Sequence, residues 1–91
     1  MAIFAIIAQP SPNAARLPAA IEREFPGRNR TLGPGAWLVS GNGVAQDISN
    51  QLKVTVGEDG SAVILEVASY FGRADPGVWS WIQSNWEVKS A

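Results

Sequence analysis

Ser61-Ala-Val-Ile-Leu-Glu-Val-Ala-Ser-Tyr-Phe-Gly-Arg-Ala-Asp-Pro-Gly-Val-Trp-Ser-Trp-Ile-Gln-Ser-Asn-Trp-Glu-Val-Lys-Ser-Ala91 decides the fold. Ala62 to Ala68 is apolar except for Glu66 and reads as a strand. Tyr70–Arg73 is a turn. Asp75-Pro76 then opens a helix, with aspartate as the N-cap and proline at the first helical position. Three of the four tryptophans follow it. At about 100° per residue, Val78, Trp79, Ile82 and Trp86 share one arc and Trp81 points away from Trp79. The expectation is that Trp79 and Trp86 are core, with Trp81 at the margin. Most of the large apolar surface lies in this stretch, so the rest of the chain must pack on it.

Upstream, Ala2–Ala8 reads Ala-Ile-Phe-Ala-Ile-Ile-Ala. Both alternate sets are apolar, as in a central strand covered on two faces. Gln9-Pro10-Ser11-Pro12 ends it, because proline has no N–H to give to a ladder. Leu17, Ile21 and Phe25 then recur at helical spacing. Pro18 would clash if that helix began at Asn13, so the regular turns start near Leu17 or Pro18 after a turn at Asn13–Arg16. Pro26-Gly27 stops the helix. Arg28–Leu32 is a short strand, Gly33-Pro34-Gly35 a tight turn and Ala36–Ser40 the next strand. Trp37 and Val39 take one face of that strand, Ala36 and Leu38 the other. Gly41-Asn42-Gly43 leads into a second helix with Val44, Ala45, Ile48 and Leu52 as its stripe. Asp47 sits in its first turn, where the helix dipole favours a carboxylate. Lys53–Val56 reads either as a short strand with Gly57–Gly60 as a hairpin loop, or as an excursion before the last strand.

The chain has 91 residues, enough for one domain with one core. It has no cysteine and no histidine, which removes thiolate chemistry, the usual general base and the commonest metal ligand. No apolar run approaches the ~18 residues of a membrane span, and residues 1–9 lack a basic leader region. The expectation is a cytoplasmic protein with no membrane association. The net charge is −1 but unevenly spread. Residues 1–35 set Arg16, Arg23, Arg28 and Arg30 against Glu22 and Glu24, a balance of +2. Residues 36–91 set Lys53, Arg73 and Lys89 against Asp47, Glu58, Asp59, Glu66, Asp75 and Glu87, a balance of −3. Neither half is basic enough to predict tight nucleic-acid binding.

Few features could carry chemistry. Gly41-Asn42-Gly43 could hold an anion on its N–H groups, but no lysine follows and the spacing fits neither a phosphate loop nor a dinucleotide fingerprint. A plain strand-to-helix turn accounts for it. Arg23, Arg28, Arg30 and Arg73 are the candidate anion- or nucleic-acid-binding residues. Against that reading, Arg28 and Arg30 are protective charges on an edge strand, and Arg73 pairs with Asp75 or with loop carbonyls. Glu66 interrupts an apolar strand, which puts it on the less covered side of the sheet. Tyr70, Phe71 and Trp81 are candidates for an interaction surface. No carboxylate pair, metal-ligand spacing or cofactor motif is present, so no catalytic residue, metal or cofactor is assigned.

The order of strands and helices resembles ferredoxin-like domains. Within that group, Trp37-Leu-Val-Ser-Gly-Asn-Gly-Val-Ala-Gln-Asp-Ile-Ser-Asn-Gln-Leu52 is similar to the third strand and second helix of one superfamily. That superfamily includes the small subunit of the CRISPR spacer-integration machinery and many uncharacterised short bacterial proteins. Ser69-Tyr-Phe-Gly-Arg-Ala-Asp-Pro76 with Val78-Trp-Ser-Trp-Ile82 looks like a feature of the uncharacterised relatives. By element order the resemblance covers roughly residues 1–69. The CRISPR subunits carry a metal-binding aspartate at the end of the first strand. Here that place reads Ala8-Gln9-Pro10, so their metal-dependent nuclease activity is not implied for this chain.

The expected fold is α+β: a ferredoxin-like βαββαβ domain, a four-stranded antiparallel sheet with two helices on one face and a C-terminal helix. The expected function is a non-enzymatic binding or protein-interaction module acting on a protein partner or on a second copy of itself as a homodimer. A nucleic-acid-binding protein using the arginines and a divergent metal-dependent nuclease are the alternatives. Strands apolar on both sides need two covers. The C-terminal helix or a second copy must supply the second, over a face expected to include Phe4, Ile6 and Ile64.

Overall fold

The structure is a computed structural model and describes residues 1–86. Ala2–Gln9 forms β1, the central strand that its two apolar sets require. It ends at Pro10, and Ala14–Arg16 makes one 3₁₀ turn before α1, Leu17–Glu24. Pro18 falls in the first turn of α1, where its missing N–H costs nothing. β2 spans Asn29–Gly33, β3 Ala36–Gly41, α2 Ala45–Gln51, β4 Ser61–Glu66 and α3 Pro76–Asn85.

The four strands lie in the order β2-β3-β1-β4, with every neighbouring pair antiparallel. Among the described residues the architecture is therefore α+β: one open antiparallel sheet and three α-helices. The register sets Phe4 opposite Val39 and Glu66, and Ile6 opposite Trp37 and Ile64. Opposite residues share a face, so Phe4, Ile6, Trp37 and Val39 form one apolar surface. Leu17, Ala20, Ile21 and Phe25 from α1 and its end, and Ile48 and Leu52 from α2 and its end, pack on it. Each large side chain fully buried there contributes roughly 1.5–3 kcal/mol relative to exposure.

The other face carries Ile3, Ala5 and Ile7 of β1, Ala36 and Leu38 of β3, and Val63 and Leu65 of β4. Val78 and Ile82 of α3 pack on Ile3 and Leu38 to form a second, smaller core. Phe4, Ile6 and Ile64 thus belong under α1 and α2. Glu66 lies on that same face at its rim, not on the less covered side.

Two expectations are corrected, and a reading left open is decided. First, residues 53–59 are consecutive turns, the excursion rather than the short strand. Lys53 takes a left-handed φ of 61°. Val54 donates its N–H to Ser49, Gly57 to Val54 and Glu58 to Lys53, so the backbone satisfies itself locally. Second, regular pairing of β4 ends at Glu66, with only the Val67 N–H reaching on to Ile3. Third, Trp79 and Trp86 are half-buried; Val78 and Ile82 are the buried residues of α3. Trp86 lies past the helix end in an extended conformation, so helical spacing does not place it. Trp81 is half-buried too and packs against the second core with them.

Candidate interaction surface

Gly41 and Gly43 show why the strand-to-helix turn is built as it is. A Cβ on Gly41 would lie 2.9 Å from Ile48 Cδ1 and 3.1 Å from Phe25 Cε1. Both neighbours are buried, so neither can yield. Gly43 has φ +92°, which favours glycine. The Asp47 carboxylate turns back and accepts the Val44 N–H at 2.7 Å. The protein's own carboxylate therefore fills the place an anion would take. Gly41→Val is expected to destabilise the fold by about 1–3 kcal/mol through overpacking. Equal denaturation midpoints for variant and parent would overturn the close-approach argument.

Of the four candidate arginines, Arg23 lies on the opposite face of the sheet from Arg30. Arg23 is on α1, where it bonds the Glu24 carboxylate at 2.9 Å and Asp59 at 3.1 Å. Those bonds hold Arg23 above its ordinary pKa, and the bond from Arg23 holds Glu24 below its ordinary value. Their contribution is complete at neutral pH and fades as acid protonates Glu24. Arg23 also anchors the turns at 53–59, as do Asn13 and Arg16, which donate to the carbonyls of Gly57 and Glu58. Arg30 pairs with Leu38 across the ladder and so lies on the α3 face, its guanidinium beside Gly77. Arg28 precedes β2 and reaches the Met1 sulfur at 3.7 Å. Arg73 is exposed and makes no ion pair with Asp75, whose carboxylate caps α3 through the Gly77 N–H at 2.8 Å. Among the described residues no cluster of three acidic side chains could hold a metal. No described helix is long and apolar enough to cross a membrane.

The aromatic residues singled out in the sequence divide. Tyr70 stacks on Trp79 with centroids 6.0 Å apart and meets Trp86 edge-on at 5.0 Å. Phe71, one residue on, is fully exposed. Together with Gly72, Trp79 and Gln83 they line an open cleft of about 250 Å³.

The apolar residues that stay uncovered lie at the other end of the α3 face. α3 covers Ile3 and Leu38 but leaves Ile7, Val63 and Leu65 at 38, 44 and 53% exposure. They are contiguous, because Ile7 pairs with Val63 and Leu65 with Ala5. Apolar residues on both sides of β4 were the only signal for this strip, and they do not say which side stays open. No family model, curated protein or solved structure matches the chain.

Proposed function

We propose that this protein is a small, non-enzymatic ferredoxin-like interaction module that self-associates as a homodimer. The strand order β2-β3-β1-β4, with α1 and α2 crossing one face, supports the ferredoxin-like reading. The observation that carries the function is the apolar strip Ile7–Val63–Leu65, left uncovered beside an edge strand. Uncovered apolar strips of this kind mark contact surfaces when they are contiguous. Light scattering at micromolar concentration is expected to give twice the 9.7 kDa chain mass. Leu65→Glu is expected to return it to the monomer while leaving the fold intact, since Leu65 is half exposed. A monomer mass for the parent chain across the micromolar range refutes the reading.

A further inference from the structure

The ladder fixes which backbone groups of β4 face outward. The Val67 N–H bonds the Ile3 carbonyl, so Ile3–Val67 is a hydrogen-bonded pair. Antiparallel pairs alternate. Leu65, Val63 and Ser61 therefore also direct their backbone groups toward β1. Ala62 and Ile64 direct theirs away from it, and among the described residues these groups have no partner.

The sheet's two edges are not alike. β2 carries Arg30, a register shift between Thr31 and Gly33, and Pro34 directly after it, all devices that discourage added strands. β4 is regular, without lysine, proline or bulge, and reads Ser-Ala-Val-Ile-Leu-Glu. A strand laid on it must be apolar on both faces. β4 itself meets that requirement.

We infer that β4 pairs antiparallel with β4 of a second copy across a two-fold axis at Ile64. This rests on the self-association reading above and specifies its geometry. Outward parity allows only even registers. Centring on Val63 would set Leu65 against Ser61 of the second copy. Centring on Leu65 would press Glu66 against Ile64 of the second copy. Centring on Ile64 sets Val63 against Leu65 and Ile64 against Ile64, with Glu66 opposite the small Ala62. The apolar strips of the two copies then run together. A six-residue strand is only about 20 Å long. Its pairing buries less than the ~800 Å² per partner of a standard interface, so the dimer is expected to dissociate on dilution below the micromolar range.

The chain has no cysteine, which gives a clean cross-linking test. In this register Val63 and Leu65 of the second copy form a non-hydrogen-bonded pair with Cα atoms about 4.5 Å apart, within disulfide reach. Like residues are diagonal, about 7–8 Å apart, and out of reach. Val63→Cys mixed with Leu65→Cys should give a covalent dimer under mild oxidation, and neither variant alone should. Ala62→Pro, added to both, removes an outward N–H and no internal bond. It should weaken the cross-link about tenfold, for two lost ladder bonds at about 0.7 kcal/mol each. Cross-linking of either variant alone as efficiently as the mixture overturns this register. A twofold mass without any cross-link overturns the edge pairing and leaves the self-association reading standing. A monomer mass and no cross-link overturn both, and leave the edge to a strand from another protein.

Discussion

Phe4→Ala is expected to cost about 3–5 kcal/mol in denaturant unfolding. Phe4 is fully buried on the central strand, between β3 and β4 and under the helices α1 and α2. No neighbour can collapse into the space, because Val39 and Ile6 beside it are held by the ladder and are themselves fully buried. For a domain whose whole stability is roughly 5–15 kcal/mol, this is a large fraction. The melting temperature should fall by roughly 12–40 °C, at about 4–8 °C per kcal/mol for a chain of this size. Val56→Ala, on the exposed side of the 53–59 turns, should change stability by less than about 0.5 kcal/mol. Similar losses from the two variants would mean that the main core is not centred on β1.

Ile82→Ala is expected to cost about 2–5 kcal/mol, more than Trp81→Ala despite the smaller side chain. Ile82 is 4% exposed and joins Val78, Ile3 and Leu38 in the buried cluster that holds α3 on the sheet. Trp81 is half-buried at that cluster's margin, and its loss leaves a gap that solvent fills. Hydrogen exchange should show the effect first in α3, whose amides should lose protection before those of β1 and β3. The ranking separates two pictures of the helix. If its tryptophans were the anchor, Trp81→Ala would equal or exceed Ile82→Ala.

The candidate surface could be only half read in advance. A second apolar face was legible, because β1 and β4 are apolar at both alternate sets. Which residues of that face stay uncovered was not, because this depends on where α3 lands. The exposure of Phe71 beside a Tyr70 locked against Trp79 and Trp86 was likewise invisible, since neighbours in a loop carry no periodicity. The arginines show the opposite failure. Arg23 and Arg30 are close in sequence, yet a helix and a strand place them on opposite sides of the sheet.

The sequence by itself determined the features that rest on local chemistry. Pro18 set the start of α1, Asp75-Pro76 the start of α3, and the spacing put Asp47 in the first turn of α2. The two-sided apolar pattern of Ala2–Ala8 made β1 central. Tertiary structure decided the rest. Lys53–Val56 has a strand's alternation, but hydrogen bonds back to α2 and the pull of Val54 onto the main core wind it into turns. Trp86 fits the arc of a helix that ends one residue before it. β4 became an unprotected edge only because β3 took the other side of β1. Strand order is set by long-range pairing, and a strand's own residues encode the faces it presents but not the neighbours it will have.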